Sequence, residues 1–229
     1  MATRLRDGLW HIDCRTRDRP NVYLVAHQGE CTLVDAGWPG DESTVRAGLA
    51  DAGFGLDEVD RVLVTHYDAD HVGTLGRLTP TLDCPVFVHR ADQPYVAGDA
   101  LPPWTARTGL EALHRLYYRQ LTLPDLPIKP IQNTDHIGGF SAHHTPGHTP
   151  GHTVYVHEDV DAAFLGDLVY TAGDRLRPAG RLTSYDQSRV AESIERVLDR
   201  IDGFGYACPG HGPPLPNGDS RLEAVVDSA

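Results

Sequence analysis

The chain is expected to form an α/β layered domain, and three observations carry that expectation. Short apolar, β-branched runs alternate with segments of helical period, in the order strand, helix, strand, helix, strand. After residue 139 the strands resume, and one strongly amphipathic helix precedes the last of them. Several runs end in His or Asp rather than in an ordinary turn, so rigid strands deliver reactive side chains at their ends. At 229 residues and 25.0 kDa the chain can bury a full core. No Ser- or Gly-rich linker divides it, so residues 1–229 are expected to make a single domain.

Taken in order, residues 8–14, 21–26 and 31–35 read as three short strands separated by polar turns, an antiparallel meander. The third ends in Asp35-Ala36-Gly37, where the carboxylate is either a turn former or a group that orients others by hydrogen bonding. Asp41-Glu42-Ser43-Thr44 opens a helix through Val45, Leu49 and Ala52, with acidic residues at its positive end and Gly53 as its stop. Val62-Leu63-Val64 is a buried strand, a short helix begins at His71, and Pro85 to His89 is another strand. From about 92 to 126 the strand pattern lapses. Leu110, Leu113, Leu116 and Tyr117 there fall at helical spacing, a helical insertion that either covers the sheet or lies over the site. Residues 139–144, 153–156 and 162–167 are strands. Ser184-Tyr185-Asp186-Gln187 starts a helix whose Val190, Ile194, Val197 and Ile201 share one face. The strand Tyr206-Ala207-Cys208 leads into Pro209-Gly210-His211-Gly212, and the Pro-, Gly- and Asp-rich remainder is expected to fray.

The chemistry concentrates after the Val62–Val64 strand, where His66, Asp68, Asp70 and His71 follow in quick succession. Imidazoles and carboxylates together are a donor set for zinc, iron or manganese. A solvated turn with incidental histidines is disfavoured because His148, Asp167 and His211 supply the same chemistry downstream.

Composition narrows the partners. The net charge is −12, from 20 Lys and Arg against 32 Asp and Glu, and Lys129 is the sole lysine. Such a surface repels phosphate backbones, so no nucleic-acid partner is expected and the substrate is expected to be a small molecule. The bias is that of salt-loving organisms or of a GC-rich genome. With no uncharged apolar run of about 18 residues and a polar start, no membrane partner is expected, and the chain is placed in the cytoplasm. A homodimer is left open. Cys14, Cys31, Cys84 and Cys208 form no C-x-x-C pair and are read as reduced, buried thiols.

Asp35, the His66–His71 cluster, His148, Asp167 and His211, in that order, resemble the five ordered motifs of the metallo-β-lactamase-fold hydrolase superfamily. The match covers most of the chain. The resemblance implies an αββα sandwich of two mixed sheets flanked by helices, with a binuclear metal site at one edge between the sheets. It implies that His66, Asp68 and His148 hold a first metal, that Asp70, His71 and His211 hold a second, that Asp167 bridges them and that Asp35 supports the set by hydrogen bonding. One position departs: the superfamily usually has His-x-His-x-Asp-His, and Asp68 stands where the second histidine is expected. A carboxylate adds negative charge and a harder donor, which makes manganese or iron more competitive with zinc. Being shorter than histidine, it leaves the first metal either held by Asp68 or weakly bound. The flavodiiron members are similar in having glutamate there, but they carry a flavodoxin domain for which this chain has no room.

The implied activity is a binuclear hydrolase, zinc being the favoured metal. A metal-bridged hydroxide would attack an ester, thioester, lactone or similar bond, and Asp70 would orient it and take its proton. No organic cofactor is called for. The alternative is an iron-dependent redox enzyme, using oxygen or persulfide chemistry on the same fold, because the superfamily supports both. His143, His144 and His152 are given no metal, and His11, His27, His89, His114, His136 and His157 are read as structural. Tyr170 is expected to pack in the core, the alternative being that it reaches the cleft as tyrosines do in related lactonases.

Overall fold

A computed structural model of the protein describes residues 1–14, 19–102, 115, 116, 118 and 121–227. Two sheets lie at its centre. The first holds β1 (Ala2–Arg6), β2 (Leu9–Asp13), β3 (Asn21–His27), β4 (Glu30–Val34), β5 (Arg61–Leu63), β6 (Val86–His89) and β7 (Ile128–Ile131), adjacent in that order. Strands β1 to β4 run antiparallel and β4 to β7 parallel. Parallel neighbours need crossovers, and the helical segments α1 (Glu42–Ala52), α2 (Ala69–Val72), α3 (Leu75–Leu78) and α4 (Gln93–Val96) lie in those connections.

The second sheet contains β8 (His136–Ile137), β9 (Phe140–His144), β10 (Thr153–His157), β11 (Ala162–Gly166), β14 (Tyr206–Pro209) and β15 (Leu215–Pro216), in the order β15-β14-β11-β10-β9-β8. Strands β11 and β14 are parallel, the other pairs antiparallel. A separate hairpin, β12 (Val169–Ala172) with β13 (Arg175–Pro178), follows Asp167. Helices α5 (Gln187–Arg200) and α6 (Gly218–Val226) cover the second sheet.

Three apolar clusters fill the three gaps of a four-layer αββα stack. Val22, Leu24 and Leu33 of the first sheet pack with Val45 and Leu49 of α1 and with Leu75 and Leu78 of α3. Their strand neighbours Tyr23, Val25 and Val34 point the other way, toward Phe140, Tyr155 and Phe164 of the second sheet. Ala163 and Leu165 of β11 then face Val190, Ile194 and Val197 of α5 and Leu222 and Val225 of α6. Central strands are thus buried on both faces, which is why they read as continuous apolar runs rather than as alternations.

The expected two mixed sheets flanked by helices are present. Residues 8–14 do pair as β2, but the meander begins one strand earlier: β1 is a polar edge strand whose register slips between Arg4 and Arg6. Strand β7 carries Pro130 at the other edge, where a missing N–H is tolerated. Among the described residues the tail does not fray. Gly218 starts α6 because a Cβ there would meet the amide of Ala207 at 2.5 Å, so a residue that signals a loop in the sequence is a packing requirement. Helix α1 ends at Gly53, with φ of 90°, as expected. Ile201 terminates α5 in extended backbone instead of continuing it. In the 92–126 insertion, α4 and the helical residues Arg115, Leu116 and Tyr118 are described, whereas Leu110, Leu113 and Tyr117 lie outside the described residues, as does His114. No helix among the described residues is long and apolar enough to cross a membrane.

Candidate metal centre

The sheets meet backbone to backbone at one edge. Thr153 at the start of β10 donates its amide to the carbonyl of Thr65 just beyond β5, at 2.9 Å, and Asn21 of β3 donates to Gly210 beyond β14, at 2.8 Å. Those two junctions bring together the loops that carry the predicted residues.

Beyond β5 the chain turns at once into α2. Asp68 caps that helix in extended conformation, so Asp70 and His71 lie inside a helical turn, not in the preceding loop as the sequence suggested. His148 sits in the β9–β10 loop, Asp167 directly after β11 and His211 directly after β14. Two donor groups result. His66, His148 and Asp167 form one and Asp70, His71 and His211 the other, each with donor atoms within 4.8 Å of one another. Asp68 joins the first, its Oδ2 lying 3.4 Å from His66 Nε2 and 3.1 Å from His148 Nε2. Asp167 spans both: Oδ1 lies 3.3 Å from His71 Nε2, and Oδ2 lies 3.3 Å from His211 Nε2 and 3.6 Å from His148 Nε2. All seven predicted side chains therefore converge on one place. Gly210 must be glycine there, since a Cβ would collide with Asp167 Oδ1.

Behind this set a hydrogen-bond chain fixes the imidazoles. Asp35 Oδ1 accepts from the Thr65 amide at 2.8 Å, and Oδ2 accepts from the Thr65 hydroxyl and from His71 Nδ1, each at 2.8 Å. With its proton committed to Asp35, the Thr65 oxygen accepts from His66 Nδ1 at 3.0 Å. Both rings thereby carry hydrogen on Nδ1 and turn Nε2 inward. Asp35 has φ of +59°, so it is the turn former as well as the orienting group, and the two sequence alternatives hold together.

The electrostatics are those of carboxylates short of cations. Burial raises the carboxyls of Asp70 and Asp167, but His71 and His211 outweigh it and hold both below the ordinary range. Burial likewise lowers His71 and His211, yet Asp167, with Asp70 and, for His71, Asp35, holds His71 well above its usual value and pushes His211 up to about 11. Positive charge is thus favoured between these carboxylates. His66 Nε2 is buried without a hydrogen bond, and His71 Nε2 faces Asp167 Oδ1 without forming one of sound geometry. Such a donor set fits divalent cations.

His152 was given no metal and belongs to neither donor group, but it is not peripheral. Fully buried, its ring lies 5.3 Å from that of His66, and burial, then His66 and His148, keep it neutral. Its Nδ1 is paired with the Thr145 hydroxyl at 2.8 Å. His89 and His144 stack at 3.9 Å between ring centres, and His157 packs on Phe140. Tyr170 is 41% exposed on the outer face of β12 opposite Arg177, which corrects the expectation of core packing: Val169 takes the inward position of that strand instead. The four cysteines are free and buried. Sequence reasoning missed Asn21, whose carboxamide donates to Pro209 O at 2.9 Å and Gly212 O at 2.5 Å around His211, and Asp92, because neither stands in a motif.

A four-layer αββα fold with paired His and carboxylate clusters at the sheet edge defines the class of metal-binding αββα proteins. The chain belongs to the Metallo-beta-lactamase superfamily, whose family model matches residues 15–211. It is 27% identical over 212 residues to "Probable metallo-hydrolase YybB" of Bacillus subtilis (strain 168), covering 90% of this chain and 86% of that protein. Among solved structures, TTHA1623 in a di-iron-bound form is 27% identical, with a TM-score of 0.68 over 92% of this chain and 95% of that one. The fold of the metallo-beta-lactamase family protein TTHA1429 from Thermus thermophilus is also similar, at 21% identity and a TM-score of 0.73 over 98% of this chain and 80% of that one. Members of this superfamily bind divalent metals.

Proposed function

We propose that the protein is a binuclear hydrolase of small molecules, cleaving an ester, thioester, lactone or similar bond. The observation that carries this reading is the convergence of His66, Asp68 and His148 on one side of Asp167 and of Asp70, His71 and His211 on the other. In this assignment His66, Asp68 and His148 hold the first metal, Asp70, His71 and His211 the second, and Asp167 bridges. Two divalent ions bound there supply Lewis acidity and a water that ionises near neutral pH.

The chain's own residues do the rest. Asp35 and Thr65 present the Nε2 atoms of His71 and His66 inward. Asp70, held ionised, is placed to orient a water and accept its proton. Burial of His66, His71 and His148 keeps solvent from the interior side, while His211, with 22% of its side chain exposed, marks the open side where substrate enters. Zinc is the favoured metal.

A second reading, an iron-dependent redox enzyme, is favoured by one feature: Asp68 supplies an oxygen donor where a histidine is usual. The similarity to TTHA1623, solved in a di-iron-bound form, points the same way. One experiment separates the two. Apo-protein reconstituted with zinc, manganese or iron is assayed on a panel of lactones, thioesters, β-lactams and phosphodiesters. Turnover of at least one substrate by the zinc form is expected; activity confined to iron-loaded protein with visible absorption would sink the hydrolase reading.

A further inference from the structure

Asp92 lies outside the donor groups and is completely buried. It forms no ion pair with any described residue; its carboxylate takes hydrogen bonds from two loops instead. Oδ2 accepts from the Thr149 hydroxyl at 2.6 Å and from the Tyr67 amide at 3.3 Å, and Oδ1 accepts from the Gly151 amide at 2.6 Å. Tyr67 is the residue between His66 and Asp68, and Thr149 follows His148. One buried carboxylate thus ties together the two segments that carry three donors of the first group.

The fit at Gly151 is specific to this contact. A Cβ at that position would lie 2.6 Å from both Cγ and Oδ1 of Asp92, so only glycine lets its amide approach so closely. Burial pushes the Asp92 carboxyl up to about 6, with the Thr149 hydrogen bond working against it, and the carboxylate accepts from all three of these groups. The other donor group has supports that do not involve Asp92: Asp35, which also holds His66 through Thr65, accepts from His71 Nδ1, and Asn21 clasps the loop around His211.

We propose that Asp92 is a positioning residue for the first metal alone, fixing the distance between the His66-Asp68 segment and His148 by bonding the backbone or hydroxyl next to each. The proposal rests on the ligand assignment made above. A loose first group keeps its donors but loses their spacing, which outer hydrogen bonds typically supply at a value of about 10–100-fold in metal affinity.

The test is a cobalt(II) titration of apo-protein followed by visible absorption, with His148→Ala and His211→Ala as references that each abolish one binding step. In Asp92→Ala the step missing from His148→Ala is expected to weaken by about 10–100-fold while the His211-dependent step stays at wild-type affinity. If Asp92→Ala does not fold, Asp92→Asn keeps the volume, turns one donor toward donors and is expected to weaken the same step. Wild-type affinity at both steps overturns the proposal, as does equal weakening of both, which would make Asp92 a general support of the fold. Because cobalt binding is the readout, an unaltered wild type that binds two metals yet hydrolyses nothing would fail the functional reading and leave this result standing.

Discussion

Asp68 is the residue on which the proposed metal preference turns. Its Oδ2 sits within 3.4 Å of both His66 Nε2 and His148 Nε2, a position from which a carboxylate can replace an imidazole donor. Asp68→Ala is expected to lower bound metal from two ions toward one and to reduce turnover by more than the roughly 10–100-fold that loss of an outer hydrogen bond costs. Metal analysis alongside kinetics checks this, and unchanged content and turnover would make Asp68 a cap of α2 and nothing more. Asp68→His is expected to shift preference toward zinc and keep measurable hydrolysis, whereas the redox reading expects a zinc-loaded variant without any activity. Asp35 offers a cleaner substitution than most, because asparagine tolerates left-handed backbone. Asp35→Asn should therefore leave the turn intact while His71 loses a charged acceptor, and cobalt affinity at the His211-dependent step should fall by about 10–100-fold. An unchanged isotherm would show that the Asp35 charge does not act through His71.

At the level of strands and helices, the His89–His144 pair joins the end of β6 in the first sheet to the end of β9 in the second. Burial, then the neighbouring His144 and Arg90, lower His89 to about 4, and burial lowers His144 despite its hydrogen bond to Pro150 O. Both rings take up protons less readily when folded than when unfolded, where they do so below about 6.5, so the unfolded state binds more protons in that range. Stability is expected to fall as pH drops from 6.5 toward 4, and His89→Gln should flatten that slope in urea denaturation. An identical slope in the variant would place the acid sensitivity elsewhere. Helix α5 rests on Val190, Ile194 and Val197; Ile194→Ala is expected to cost about 2–5 kcal/mol with metal content unchanged, again by denaturation. These elements also show what the chain discloses. Val62–Val64, the α1 stop at Gly53 and the α5 face were legible because burial on one or both sides imposes a period. Strands β1 and β7 and helix α6 were not, because edge position tolerates Arg, Lys and Pro, and Gly218 follows a contact with Ala207 that no local pattern announces. The seven converging His and Asp residues were legible for a different reason: the cluster after β5 stands out because imidazoles and carboxylates rarely crowd a strand end, and the rest followed from the resemblance of the ordered motifs to a known superfamily. Asp92 was not, since a buried carboxylate bonded to backbone amides looks in sequence like any surface aspartate.

The whole molecule carries a net charge of −12 with one lysine, and most of that charge repels itself across the surface. Screening should relieve it. The melting temperature is expected to hold or rise as KCl approaches molar concentration, and a steady fall would show that the acidic bias reflects genome composition alone. The topology has a further consequence in time. Strand β14 lies between β15 and β11 and delivers His211, while β11 delivers Asp167, so the second sheet is incomplete until residues beyond 206 have left the ribosome. A nascent chain can display Asp70 and His71 early, yet the second donor group lacks His211 until β14 has emerged. Metal binding at that group is therefore expected only once the second sheet has closed, so that the ion taken there is selected by the folded shape and the pool surrounding it.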